Sequence, residues 1–236
     1  MKVSKFTALT HKWVSLFIGV QIVLWITGGV VMSWFHITTV RGEHNIQKHE
    51  PVAVSADGVL SPAAILMKAG APVKELRLST WLDMPVYIAE LVDGSRKMYD
   101  AISGDHLGLL PKDAVTVAMA DFAGIAVQVE VSLLESNNGE YRGPVPVWQV
   151  VMGDAENTII YVSLDDGRVV ARRNTTWRIY DFFWMLHIMD YENRTDFNNL
   201  LVKIASAIGL LAAISGFVLL FYRFRKRDFR QLMGKG

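Results

Sequence analysis

Two long apolar runs lie near the ends of this 236-residue chain. The first, Val14 to Phe35, has no charged residue and only four polar ones, and the second, Leu200 to Tyr222, has a single charge, Lys203. As a helix, each run is long enough to cross a hydrocarbon core of about 30 Å. Core helices of water-soluble proteins rarely stay apolar on every face for this length. The sequence therefore predicts a membrane hairpin, in which two membrane helices flank one extramembrane domain.

The distribution of charge indicates an orientation. The segment between the two runs, residues 37–199, carries 14 basic and 22 acidic residues, a formal net charge of −8. Basic residues lie before the first run and after the second run: Lys2, Lys5, Lys12, Arg223, Arg225, Lys226, Arg227, Arg230 and Lys235. Because basic flanks stay in the cytoplasm, we expect both termini inside and the acidic domain outside. No small-residue cleavage site follows the first run, which is therefore expected to be an uncleaved anchor.

Composition and missing motifs exclude several classes of function. The chain has no cysteine, which excludes disulfides, covalent c-type haem, iron–sulfur clusters and thiolate zinc sites. It has no basic patch of the kind that nucleic-acid binding requires. It also lacks a Walker loop, a dinucleotide glycine fingerprint and the common hydrolase motifs. If the chain has a redox function, its electrons would therefore have to come from a membrane quinol or a partner subunit.

The extramembrane segment repeats itself. Pro85-Val86-Tyr87 recurs as Pro146-Val147-Trp148, 61 residues later. Each copy has a short helix that begins next to a proline, Pro62 or Pro111, as suits a first helical turn. Three strands follow in each copy: near Val73–Trp81, Val86–Leu91 and Lys97–Ile102, then near Ala126–Leu134, Val147–Met152 and Thr158–Leu164. The hairpin dipeptides Asp93-Gly94 and Asp166-Gly167 punctuate these strands.

These patterns predict an α+β fold, with two tandem units inserted between two transmembrane helices. Each unit is expected to contain one helix and a three-stranded antiparallel sheet, and the two units can bury faces against each other. The predicted segments are a cytoplasmic N-terminus (1–12), transmembrane helix 1 (13–36), the first repeat (37–109), the second repeat (110–176), an interfacial aromatic helix and loop (177–199), transmembrane helix 2 (200–222) and a basic cytoplasmic tail (223–236).

Three stretches carry a family resemblance. They are Pro146-Val147-Trp148-x-Val150, the run Tyr161-Val162-Ser163-x-Asp165-x-Gly167, and a final series of Arg173, Trp177, Arg178, Asp181, Phe182, Trp184, Met185, Leu186 and His187. In this order they resemble a PepSY domain followed by a PepSY-associated membrane helix. Leu9-Thr10-His11-Lys12-Trp13 resembles the opening of the first membrane helix in that family. The resemblance covers nearly the whole chain.

The resemblance implies a location and two alternative functions. Some PepSY membrane-helix proteins resemble haem-containing reductases of the bacterial inner membrane, which act on ferric siderophores in the periplasm. By this analogy the chain would bind haem b and pass electrons to a periplasmic acceptor, as a ferric-chelate reductase or an electron-transfer subunit in iron uptake. Those reductases have four membrane helices, whereas this chain has two. The alternative is a non-enzymatic protein that binds a periplasmic peptide or protein, or supports assembly of a membrane complex.

Three histidines lie at predicted membrane boundaries. His11 and His36 are 25 residues apart, which on one helix would place both on the same face, about 37 Å apart. Neutral imidazole is a good axial ligand for haem iron. The resemblance implies that His36 and His187 are the two ligands of an outer haem. An inner haem at His11 would need the same residue from a second copy in a homodimer. One haem, or none, is the alternative, because interfacial histidines also contact lipid headgroups.

The other histidines are weaker candidates. His44 and His49, with Glu43 and Glu50, could hold a metal ion, but a spacing of five residues on a loop matches no common ligand pattern. A solvated linker is the favoured interpretation of that segment. His106 follows a turn and is expected at the surface.

Overall fold

The computed structural model of the chain describes residues 2–48, 53 and 57–223. It forms two compact units. One is built from the two ends of the chain, Met1–Phe35 and Ile179–Gly236, and the other is His36–Arg178. We refer to them as the membrane unit and the outer domain. The helices are α1 Lys2–Trp34, α2 Ile37–Val40, α3 Pro62–Ala69, α4 Pro111–Asp121, α5 Thr175–Ile188 and α6 Leu200–Arg223, and a 3₁₀ turn covers Glu43–Asn45.

The membrane unit contains helices α1 and α6 and most of α5. Within them, Lys5–Trp34 and Leu200–Tyr222 are long and apolar enough to cross a membrane, and only 11% of each most apolar stretch is buried. A core helix of a soluble protein would be mostly buried, so these exposed apolar faces suit a lipid environment. Small residues of α6 allow α1 to pack closely, as in other membrane helix pairs. Ile18 of α1 is buried against Ala205 and Ala212 of α6.

The outer domain contains two antiparallel sheets of four strands, in the orders β1-β2-β3-β4 and β5-β6-β7-β8. The strands are β1 Val73–Trp81, β2 Met84–Leu91, β3 Arg96–Asp100, β4 His106–Leu107, β5 Glu130–Leu134, β6 Val147–Val151, β7 Ile159–Ser163 and β8 Val169–Arg173. The predicted α+β architecture, with sheets between two candidate membrane helices, is confirmed. The prediction of three strands per sheet is wrong by one strand in each.

The two additional strands, β4 and β8, could not be recognised in the sequence, for different reasons. Strand β4 is only two residues long, too short to show an alternating pattern. Strand β8 directly follows the predicted Asp166-Gly167 turn, and it is the second arm of that hairpin: Ser163 N–H donates to Arg168 O at 3.0 Å. All five residues of β8 are half-buried, so its sequence lacks a clear inside and outside.

One hydrophobic core joins the two repeats. Val86 and Met98 of the first sheet are fully buried in the same cluster as Val150 and Ile160 of the second. Helix α4 contributes a face with helical spacing to this core: Ala114, Val117 and Ala118. The helix begins at a proline, and the Asp113 side chain accepts a hydrogen bond from Leu110 N–H at 2.9 Å, which caps its first turn. The repeats are therefore parts of one domain.

The remaining faces of the two sheets are covered differently. Helix α3 covers the first sheet, where Ile65 packs in a cluster with Tyr87 and Tyr99. On the second sheet, a loop takes the place of a helix. Tyr141 of that loop is buried with Tyr161, and their rings stack at 4.8 Å.

Candidate functional site

His11 lies within α1, and its ring is held by α6. Its Nδ1 is 3.1 Å from the carbonyl oxygen of Ala212 and 2.9 Å from the Ser215 hydroxyl. A carbonyl can only accept, so the contact with Ala212 favours a ring that carries a proton on Nδ1. The ring also fills the space beside Gly216, where an added Cβ would lie 2.9 Å from His11 Cε1. His11 is therefore part of the packing between the two membrane helices.

His187 lies in the last turn of α5, and side chains hold the backbone there. Trp25 Nε1 of α1 donates to the carbonyl of His187 at 2.8 Å, and Gln21 Nε2 donates to that of Leu186 at 3.2 Å. Asn199 Nδ2 donates to the carbonyl of Ile188 at 2.9 Å. The last carbonyls of a helix have no partner within the helix, and leaving them bare in lipid is costly. The bonds from Trp25 and Gln21 fix the end of α5 against α1, and the bond from Asn199 ties it to the residue before α6.

The imidazole of His187 itself has a different environment. Its Nδ1 is buried and, among the residues that the structure describes, has no hydrogen-bond partner. The ring lies beside Trp25, with centroids 6.5 Å apart. Next to it α1 has a glycine, Gly28, where an added Cβ would lie 4.0 Å from His187 Nδ1. The backbone of this histidine is thus fixed, while its Nδ1 has no hydrogen-bond partner in the described part of the chain and lies near a position without a side chain.

The loop from α5 to α6 is ordered by its own polar groups. Asp190 accepts hydrogen bonds from four backbone N–H groups, those of Glu192, Asn193, Thr195 and Asp196. These bonds, led by the one from Asp196, lower the pKa of Asp190 to about 2. Arg194 pairs with the buried Asp181 at 2.5 Å, and its carbonyl accepts from Trp184 Nε1 at 3.2 Å. The loop therefore supports the helix end that carries His187.

His36 is not part of the first helix. Helix α1 ends at Trp34, and His36 has an extended backbone conformation with φ −70° and ψ 132°. The prediction that His11 and His36 share one helix face is therefore wrong, because the helix stops before it reaches His36. The His36 ring is exposed and lies 2.9 Å from the Thr38 hydroxyl. Its predicted role as a haem ligand stays a prediction.

His11 and His187 belong to separate places in the membrane unit. The ring of His187 lies against Trp25, which is 14 residues after His11 on α1. At 1.5 Å per residue this corresponds to about 21 Å along the helix. The two imidazoles are therefore not brought together, and they could not serve the same iron.

The other histidines are engaged with neighbouring side chains. His44 Nε2 lies 3.1 Å from Glu156 Oε2, and the ring of His106 packs edge-on against Tyr99 with centroids 5.6 Å apart. His49 and Glu50 lie outside the described residues. The possible metal site that they would form with His44 and Glu43 is therefore not described. Among the described residues, no group of three or more His, Cys, Asp or Glu could hold a metal ion.

A cavity of about 400 Å³ lies beside strand β8, where no sequence motif indicates a site. Three arginines line it: Arg142, Arg168 and Arg173. Burial raises the pKa of the adjacent Tyr141, and the positive charges of Arg168 and Arg173 oppose that shift. These arginines are up to 31 residues apart in the sequence, so no local motif could have predicted that they converge.

The comparisons with known proteins identify a family. A family model described as the PepSY-associated TM region matches residues 8–236, nearly the whole chain. No curated protein and no solved structure matches the chain. Together with the two candidate membrane helices, the match shows a membrane protein with a PepSY domain. The chain belongs to the family defined by the PepSY-associated transmembrane region.

Proposed function

We propose that this chain binds b haem in the membrane and passes electrons to an acceptor outside the cytoplasm. The observation that carries the proposal is the imidazole of His187. It has a buried nitrogen that no described group satisfies, and it faces Gly28. Leaving a buried polar group without a partner costs about 1–3 kcal/mol. Such a ring is expected where it serves a ligand rather than the fold.

The surroundings of His187 support the role of a haem ligand. A metal-binding histidine needs a fixed position, which here comes from the bonds of Trp25 and Gln21 to the carbonyls at the end of α5. Trp25 and the apolar faces of the helices would exclude water from the ring. Bound at this position, haem would supply one-electron transfer between a membrane donor and an outer acceptor. Among acceptors, a ferric siderophore is the one that the family resemblance suggests.

His11 supports a separate and weaker part of the proposal. Its Nδ1 bond to the Ala212 carbonyl is the arrangement that orients many metal-bound histidines and leaves Nε2 as the ligand atom. The ring nevertheless already fills the space beside Gly216. An inner haem at His11 would need the second ligand from another copy of the chain, so it depends on a homodimer.

A visible spectrum tests the haem. We expect the protein purified from haem-replete cells to show a reduced-minus-oxidised α-band, which Gly28→Leu should abolish by filling the space beside His187. Gly19→Leu is the matched control, since no described atom lies within 4 Å of an added Cβ there. A flat spectrum from the unmodified chain overturns the proposal.

The orientation is also proposed, with both termini in the cytoplasm of a bacterium and the outer domain in the periplasm. It rests on the basic flanks and the acidic middle of the sequence. Because the chain has no cysteine, single cysteines can report on it cleanly. In intact cells, Ser103→Cys should react with a membrane-impermeant maleimide, and Gly236→Cys should not. The reverse pattern would refute this orientation.

A second candidate function is a binding module without electron transfer, such as a peptide-binding or assembly subunit of a membrane complex. The cavity beside β8 is the observation that favours it. This function predicts that His187→Ala leaves activity in the cell intact, whereas Arg168→Glu abolishes it. If the function is electron transfer, His187→Ala is instead the variant that loses activity.

A further inference from the structure

The cavity beside β8 has the size of a small-molecule site. It lies between that strand and the loop from Tyr141 to Pro144, entirely within the outer domain. Its volume of about 400 Å³ falls in the range of about 300–1,000 Å³ that is usual for ligand pockets. The half-buried side chains of Val170 and Ala171 supply an apolar wall. Neither His11 nor His187 contributes to it.

The charge of the cavity is opposite to that of the segment around it. Arg142, Arg168 and Arg173 line it, and no Asp or Glu is among its described lining residues. Residues 37–199 carry a formal net charge of −8, so the cavity concentrates arginines on an acidic domain, with Arg168 paired to Asp166 at its edge. A recessed site with charge of one sign concentrates ligands of the other sign. Guanidinium groups bind carboxylate and phosphate in a two-pronged geometry.

Aromatic stacking holds two of the arginines in place. The guanidinium of Arg173 lies 4.2 Å from the centre of the Trp177 ring, and that of Arg142 lies 5.7 Å from the same ring. Arg173 Nε also donates to the carbonyl of Glu140 at 2.7 Å. A positioned arginine loses less side-chain entropy when a ligand binds, so the cavity is preorganised for an anion.

Arg168 is the most accessible of the three, with 59% of its side chain exposed. Its Nε lies 3.0 Å from the carboxylate of Asp166, which is buried and also pairs with Arg96 at 3.2 Å. One edge of the guanidinium is thus anchored to a carboxylate that also pairs with Arg96 of the first repeat. A guanidinium has five N–H donors, so this anchoring leaves donors for a ligand.

The conformation of the loop that borders the cavity is held by contacts between its own residues. The Asn138 side chain accepts from Tyr141 N–H at 2.9 Å, and Tyr141 Oη donates to the carbonyl of Pro144 at 3.0 Å. Gly143 allows this fold, because a Cβ there would lie 2.5 Å from Tyr141 Oη. The ring of Tyr141 is also stacked on Tyr161. These contacts position the loop that forms one wall of the cavity.

We propose that this cavity binds a small polyanion carrying two or three carboxylate or phosphate groups. Three guanidinium groups around one small cavity match a ligand with several negative charges better than a single carboxylate. The inference does not rest on the haem: a chain without haem would still bind the anion, and a haem protein without this site would still show its α-band.

Isothermal titration calorimetry on the full chain in detergent tests the proposal, with citrate and pyrophosphate as probes and glucose as the neutral control. At low salt we expect at least one of the two anions to bind with a Kd below about 1 mM, and not glucose. Which anion binds tighter tells carboxylate from phosphate. Because Arg168 contributes charge-assisted hydrogen bonds, Arg168→Gln should weaken binding about tenfold or more. Arg168→Lys should weaken it less, since the charge remains and the fork is lost.

Arg41→Gln is the matched control, because Arg41 is an exposed arginine of the same domain, 66% exposed and outside the cavity. It should leave the Kd unchanged. Equal Kd values for Arg168→Gln and Arg41→Gln would overturn the proposal, as would the absence of heat with both anions. Binding of a hexaglutamate peptide without binding of either small anion would also overturn it, in favour of an acidic protein segment. Thermal unfolding of each variant shows that a loss of binding is not a loss of fold.

Discussion

Two histidines of the membrane unit, His11 and His187, have opposite environments. The Nδ1 of His11 is bonded to α6 and its ring fills the space beside Gly216. The Nδ1 of His187 is buried without a described partner and faces Gly28. At His11 the ring nitrogen Nδ1 has hydrogen-bond partners on α6. At His187 the backbone carbonyl has a described hydrogen-bond partner, whereas Nδ1 has none. The difference separates a histidine that holds two helices together from one whose ring is available to a ligand.

The largest effect on stability is expected at the first of these sites, from Gly216→Ala. The new Cβ would lie 2.9 Å from His11 Cε1, so the ring or the helix must shift. Overpacking of this kind costs about 1–3 kcal/mol. The measurement is the midpoint of unfolding in detergent. Gly19→Ala serves as the control and should unfold like the unmodified chain; equal losses in both variants would show that His11 does not clamp α1 to α6.

A smaller effect is expected from Trp25→Phe at the second site. The substitution keeps an aromatic ring but removes the bond from Trp25 Nε1 to the carbonyl of His187. Losing one such bond costs about 1 kcal/mol. We expect faster amide hydrogen exchange in the last turn of α5 and a shifted haem spectrum. Trp13→Phe, at an exposed tryptophan on the same helix, should change neither. Unchanged exchange in the Trp25 variant would mean that this bond does not position His187.

The smallest effect is expected in the loop behind His187, from acidification. The pKa of Asp190 is lowered to about 2, from about 3.9 in an unfolded chain. The carboxylate therefore stabilises the folded loop fully above the unfolded pKa, and this contribution is lost as the pH falls through about 2. Fluorescence of Trp184, which is bonded to the loop at the Arg194 carbonyl, should stay constant between pH 7 and about 4. Asp190→Asn should change it already at pH 7, and a change in the unmodified chain near pH 5 would argue against this role of Asp190.

The sequence was sufficient to predict the membrane helices and the repeated sheet domain, because both follow from local patterns. A long apolar run and a strand flanked by turn dipeptides can be recognised without knowing the rest of the fold. The end of α1 at Trp34 could not be predicted, because the apolar run continues to Phe35 and no helix-stop signal separates it from His36.

The candidate sites could be predicted only in part. The sequence shows which histidines lie near the predicted membrane boundaries. Their environments, however, depend on contacts with residues distant in the sequence. The bond from Gln21 to the Leu186 carbonyl is one example, since it joins residues 165 positions apart. The cavity of Arg142, Arg168 and Arg173 is another, because their convergence depends on the path of β8 beside the Tyr141 loop.

The amount of haem per polypeptide, measured side by side in the unmodified chain and in His187→Ala and His11→Ala, tests the central claim most directly. We expect bound haem in the unmodified chain and in His11→Ala, and its loss in His187→Ala. Haem retained in His187→Ala at the level of the unmodified chain would contradict the assignment of this ring as the ligand.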